Sequence, residues 1–154
     1  MRPLQKRGIK MTIAFVCTGN SCRSPLAQAL FEKLLRDSGR EGVRCFSCGT
    51  DACPGGCASE NAVAAGQELG VDLTAHRSQQ LCRDLLEDTD LIVTMSAWQA
   101  GLVSSQWTSA LRTGKQVRVL GGGIADPYGG DLESYRNCAR EMQTALEDLL
   151  RELP

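Results

Sequence analysis

The spacing of apolar residues along the chain changes period repeatedly. Met11-Thr12-Ile13-Ala14-Phe15-Val16 is short, apolar and partly β-branched, which suits a parallel strand buried on both faces. Over residues 25–38 the spacing becomes helical, with Leu26, Ala29, Leu30 and Leu34 on one face and Gly39 as the stop. Residues 43–47 read as a second strand, and residues 59–69 as a helix repeating Ala62, Ala65 and Leu69 before Gly70. A short helix over 80–86 precedes a third strand, Leu91-Ile92-Val93-Thr94-Met95. A helix over 97–103 and a fourth strand over 117–120 follow. The last helix, 132–151, carries the clearest stripe: Tyr135, Ala139, Met142, Leu146 and Leu149. Alternating strands and helices without internal repeat or low-complexity tract predict an α/β fold. Trp98 and Trp107 are read as packing or surface anchors.

Composition narrows this picture. With 154 residues, 42% of them hydrophobic, the chain can fill one well-cored domain and not two. Seventeen basic against eighteen acidic residues leave a net charge of −1, which offers no electrostatic footprint for nucleic acid. Arg2, Lys6, Arg7 and Lys10 precede an apolar run of about six residues, too short for the core of a signal peptide. Residues 1–10 are therefore expected to be a disordered extension, with the domain over 11–154. No stretch reaches the ~20 apolar residues of a membrane span, and a cytoplasmic protein without membrane partners is expected.

The chemistry concentrates where the first strand meets the first helix, in Cys17-Thr18-Gly19-Asn20-Ser21-Cys22-Arg23-Ser24-Pro25. Here Ser24 can cap the helix and Pro25 fits its first position. Inward-facing backbone N–H groups and the helix dipole suit a dianionic phosphoryl group and favour a thiolate at Cys17. Gly19 permits a tight turn, Asn20 tolerates left-handed geometry, and Arg23 supplies a planar fork for phosphate oxygens. The Lys-Ser/Thr pair of a nucleotide-binding loop is missing. Far downstream, Asp126-Pro127-Tyr128 lies between Gly121-Gly122-Gly123 and Gly129-Gly130, a loop signature. Displacement at phosphorus needs a nucleophile, neutralisation of the equatorial oxygens and a proton for the leaving atom. Cys17, the loop amides with Arg23, and Asp126 can supply these in turn, without metal or cofactor.

The pairing of Cys-x5-Arg-Ser near the N-terminus with a distant Asp-Pro-Tyr resembles the low-molecular-weight protein tyrosine phosphatases, over about residues 11–150. The resemblance implies four parallel strands in the order 2-1-3-4, helices on both faces, and the ligand at the carboxyl edge where that order reverses. It implies Cys17 as nucleophile, Arg23 as phosphate clamp, Asp126 as proton donor and Tyr128 as a substrate wall. Residues 18–24 would form the phosphate loop, with Ser24 stabilising the thiolate and Asn20 shaping the loop. His76 would be a structural support bonded to that asparagine, and Cys22 would trap an oxidised Cys17 as a reversible disulfide. Phosphorylated proteins would be the substrates and inorganic phosphate the product.

Tyrosine-directed members usually carry a bulky aliphatic residue at the position of Ser21 and often a second aromatic at Gly129; both are small here. Asp126-Pro127-Tyr128-Gly129-Gly130 resembles the phosphoarginine-directed branch, which favours phosphoarginine over phosphotyrosine. Two alternatives remain open. Thioredoxin-coupled arsenate reductases share the loop, yet their relay needs two further cysteines just after the third strand, where residues 95–101 have none. A non-enzymatic cysteine-rich module would use Cys45, Cys48, Cys53 and Cys57. Only four residues separate Cys48 from Cys53, against the dozen or more between the cysteine pairs of zinc ribbons and fingers, so no metal site is assigned. A Cys53–Cys57 disulfide would be opposed by a reducing cytosol.

Overall fold

The computed structural model describes residues 8–107 and 116–154. Of the expected extension, residues 1–7 lie outside the described ones, while Lys10 is tied to the sheet edge by its N–H to the Gly42 carbonyl at 2.7 Å. The elements are β1 (Met11–Cys17), α1 (Arg23–Asp37), β2 (Val43–Gly49), α2 (Glu60–Glu68), α3 (Arg83–Glu87), β3 (Leu91–Thr94), α4 (Ala97–Gln106), β4 (Gln116–Val119) and α5 (Leu132–Glu152). All three strand pairings are parallel and the order is β2-β1-β3-β4. The order reverses beside β1, so the loop leaving β1 at Cys17 opens at the topological switch point.

Burial on both faces explains the unbroken apolar run of β1. Ile13, Phe15 and Cys17 join α1, α2 and α5 in the larger core, whereas Ala14 and Val16 face Leu86 of α3 and Val103 of α4. Phe15 and Phe31 meet edge to face at 5.6 Å between ring centroids, which draws the buried stripe of α1 towards Phe31. That stripe is Leu26, Ala27, Leu30, Phe31 and Leu35; Ala29 and Leu34, expected inside, sit at its half-buried margin. The stripe of α5 lies where its periodicity placed it, with Tyr135, Ala139, Met142, Leu146 and Leu149 all buried. Trp107 packs against the smaller core, while Trp98 is 67% exposed.

The start of α1 differs from the sequence expectation. The helix begins at Arg23 with Cys22 as its cap residue and no side-chain cap, and Ser24 sits inside the first turn. Its hydroxyl is engaged by the loop below instead, as described in the next section. The four clustered cysteines are also dispersed by local geometry. Cys45 and Cys48 belong to opposite faces of β2, and Cys53 and Cys57 are exposed free thiols in the following loop.

Besides Cys17, the thiols of Cys22, Cys48 and Cys138 are buried. Burial, the largest cause in each case, raises Cys22 from an ordinary 9.0 to about 11 and Cys138 to about 12, and pushes Cys48 up as well. Above pH 9 the unfolded chain therefore loses these protons while the native state keeps them. Stability is complete below that pH and falls as pH rises, by roughly 1.4 kcal/mol per pH unit for each thiol. Urea unfolding midpoints should drop between about pH 9 and 11, and Cys138→Ala should make the drop shallower; a flat profile would contradict the assignment.

Candidate active site

The loop of residues 17–24 is built around one buried asparagine. Asn20 adopts φ +54°, alone among the described non-glycine residues in having a positive value. Its polar groups are all engaged. The backbone N–H points to Cys17 Sγ at 3.3 Å, and the backbone carbonyl accepts from His76 Nε2 and Ser78 Oγ, both at 2.7 Å. Because a carbonyl can only accept, His76 carries its proton on Nε2 in this pair. Oδ1 accepts the Gln79 N–H at 2.9 Å, which fixes the amide orientation and leaves Nδ2 to donate to Ser24 Oγ at 2.8 Å and Ser47 Oγ at 3.0 Å.

That orientation decides what Ser24 does. Its oxygen already accepts from Asn20, so its own proton is free to go to Cys17 Sγ at 3.0 Å, closer than the competing Cys48 carbonyl at 3.4 Å. Cys17 itself is 2% exposed, and its sulfur thus faces a hydroxyl proton and a backbone N–H.

Glycine is required at the end of β2. A Cβ on Gly49 would come within 2.5 Å of the Thr18 carbonyl oxygen and 3.0 Å of the Asn20 nitrogen, both backbone atoms. The segment after β2 then follows the loop closely: Thr50 and Asp51 donate to the Cys17 and Thr18 carbonyls, and Ser59 donates to that of Ser21, each at 2.9 Å.

Arg23 and Asp126 close the other side. The guanidinium donates from Nη1 to the Ile124 carbonyl at 3.0 Å and places Nη2 3.5 Å from Asp126 Oδ2, while its buried Nε has no protein acceptor. The Asp126 carboxylate is half exposed, its Oδ1 accepting the Tyr128 N–H at 3.0 Å and lying 3.9 Å from Cys22 Sγ. Tyr128 stands 78% exposed on the rim, beside Gly129 at φ +81°. Cys22 is held as a neutral thiol first by burial and then by the neighbouring Cys17 and Asp126.

Every residue singled out around the anion loop therefore falls in one cluster at the carboxyl edge of β1, with Asp126 and Tyr128 arriving from 100 residues away. Ser47, Ser78, Gln79 and Gln99 were missed from the sequence. The first three lie 27 to 59 positions from Asn20, and Gln99, 1% exposed, donates to Thr18 Oγ1 across 81 positions at 3.1 Å. Partners this far apart along the chain leave no local pattern that could have signalled them.

The loop joining β1 to α1 thus carries a cysteine and an arginine at its two ends and faces an aspartate at the carboxyl edge of the sheet. The family described as low molecular weight phosphotyrosine protein phosphatase matches residues 12–154, and the chain belongs to that family of protein phosphatases. It is 34% identical over 147 residues to the protein-arginine-phosphatase of Bacillus subtilis, covering 93% of this chain and 97% of the relative. It is 30% identical over 138 residues to arsenate reductase 2 of Staphylococcus haemolyticus, covering 90% and 95%. Among solved structures it is similar to YwlE arginine phosphatase, a Cys-to-Ser mutant with a phosphorylated active-site serine. That match has a TM-score of 0.86 and 34% identity, covering 93% of this chain and 95% of the other. Family membership makes the protein a hydrolase and sets aside the non-enzymatic cysteine-rich module.

The close backbone approach at Gly49 carries a consequence for anion affinity. Gly49→Ala should push the Thr18 carbonyl outward and raise the dissociation constant for inorganic phosphate, read by calorimetry, by about tenfold or more. Unchanged phosphate affinity in a folded variant would show that the close approach plays no part.

Proposed function

We propose that the protein hydrolyses phosphorylated protein side chains through a cysteinyl-phosphate, with phosphoarginine preferred over phosphotyrosine. The observation that carries this reading is the buried Cys17 sulfur flanked by the Ser24 hydroxyl and the Asn20 N–H, with Arg23 and Asp126 paired opposite. Cys17 attacks phosphorus in line, forming the S–P bond as the bond to the leaving atom breaks. The amides of residues 18–24 and Arg23 neutralise the equatorial oxygens, and Asp126 gives its proton to the leaving atom. In the second step the Asp126 carboxylate takes a proton from water, whose oxygen attacks phosphorus and returns Cys17 as thiolate with release of phosphate. No step calls on a cofactor. His76 holds the loop through the Asn20 carbonyl, Tyr128 forms the substrate wall, and Cys22 is the partner for an oxidised Cys17.

The arginine preference draws on the rim. Ser21 offers a hydroxyl instead of an aliphatic wall, able to orient the attacking water or contact the guanidinium leaving group. Gly129, at φ +81° with open space around it, gives no aromatic slot for a phenol ring. The similarity to a protein named protein-arginine-phosphatase supports the same choice. An arsenate reductase is also similar at 30% identity, but the redox relay of that branch has no cysteines to use in residues 95–101. We further infer a cytoplasmic setting without membrane or nucleic-acid partners; no helix among the described residues is long and apolar enough to cross a membrane.

Cys17→Ser should abolish turnover, and Asp126→Ala should lower kcat on the order of 10²- to 10⁴-fold while leaving phosphate binding in place. Steady-state kinetics of both variants beside the wild type check this; retained turnover in Cys17→Ser would end the mechanism. With matched peptides, kcat/KM should be higher for phosphoarginine than for phosphotyrosine, and Ser21→Ala should reduce the former more. Activity on phosphotyrosine alone would reverse the substrate assignment, and arsenate-dependent oxidation of reduced thioredoxin would favour the reductase.

A further inference from the structure

Gln99 is a fully buried polar residue in the first turn of α4, a position that the core alone would fill with an aliphatic side chain. Its orientation is fixed: the Met95 N–H, which can only donate, reaches Oε1 at 2.9 Å, so Nε2 faces Thr18 Oγ1 at 3.1 Å. The Ser96 hydroxyl, accepting the Gln99 N–H at 3.1 Å, holds the start of the helix in place. From Met95 the connection continues. Its carbonyl accepts the Ile124 N–H at 2.8 Å, and the Ile124 carbonyl accepts Arg23 Nη1 at 3.0 Å. Ile124 is two positions before Asp126, whose carboxylate faces the same guanidinium.

The Met95 peptide is thus bonded on its carbonyl side to the wall bearing the acid and on its N–H side both to the Val16 carbonyl of β1, at 3.2 Å, and to Gln99, which alone carries the connection on to Thr18 in the loop. The far end of the loop reaches this wall directly, through Arg23 and the Ile124 carbonyl; the end next to Cys17 reaches it from Thr18 through Gln99 and Met95, so the two ties together fix the wall against the loop. We propose that Gln99 is a positioning residue that sets the Asp126 wall in register with the Cys17 loop. This role rests on the reading of Cys17 as nucleophile and Asp126 as proton donor. A side chain that filled the same space without the amide would keep the core and lose the register, and the proton would then be delivered from the wrong distance.

Leaving-group dependence tests this, because a good leaving group departs without protonation and a poor one does not. For Gln99→Leu, kcat/KM with phenyl phosphate should fall about tenfold or more, while that with 2,4-dinitrophenyl phosphate should stay within about threefold of wild type. Gln99→Glu keeps an acceptor for the Met95 N–H, and the Thr18 hydroxyl can turn to donate to it, so the ratio between the two substrates should remain near the wild-type ratio. Thr18→Val, which removes the partner of Gln99 and leaves α4 untouched, should shift that ratio in the same direction, and the double variant with Gln99→Leu should shift it no further. Thr18→Val carries the test if Gln99→Leu does not fold. Equal losses on both substrates, no loss in either, or multiplying effects in the double variant would overturn the role of Gln99. A Cys17→Ser variant that hydrolyses both esters would overturn the underlying mechanism instead.

Discussion

The hydrogen bonds of Asn20 hold the site in its shape. A buried amide with every donor and acceptor engaged cannot rotate without leaving polar groups unpaired, each costing about 1–3 kcal/mol. The left-handed backbone at this residue is tolerated because those partners over-determine it. From Asn20 the constraint spreads outward. Its amide turns the Ser24 hydroxyl towards Cys17, its carbonyl binds His76 and Ser78, and its side chain anchors the segment leading into Gln79. The backbone bonds from Thr50, Asp51 and Ser59 to the Cys17, Thr18 and Ser21 carbonyls hold the same loop from its outer side.

Elements whose periodicity reflects burial were legible in the sequence. β1 reads as apolar throughout because helices cover both sides, and α5 reads cleanly because one face meets α1 and α2 while the other meets solvent. In the loop of residues 17–24 the left-handed backbone of Asn20 was legible, because that residue type tolerates it, whereas Gly19 does not use a positive φ and Pro25, expected at the first helical position, is the third residue of α1. Ser24 was read as a cap on the same local logic, but a tertiary partner, the Asn20 amide, claims its oxygen. Gln99 and Ser47 could not be seen at all: their partners lie 81 and 27 positions away, and no local pattern encodes a hydrogen bond across that distance.

The cysteines illustrate how environment separates chemically identical groups. Cys17 and Cys22 are both buried, yet Cys17 faces the Ser24 hydroxyl and the Asn20 N–H while Cys22 lies towards the Asp126 carboxylate and is kept protonated by burial and by Cys17 and Asp126. Cys48 and Cys138 behave as small core hydrophobes, their thiols kept protonated by burial. The spacing of the four cysteines over residues 45–57 argued against a metal site, and in the structure the pleat of β2 puts Cys45 and Cys48 on opposite faces of the sheet.

Tyr128 and Gly129 contribute little to the core: the tyrosine stands in solvent and the glycine has nothing packed above it. A lineage can therefore exchange the side chain at position 128, and so try new leaving groups, at almost no cost in folding, although at position 129 the left-handed backbone resists anything but glycine. Diversification of substrate range on an invariant phosphorus chemistry is the evolutionary course that such a division of labour permits.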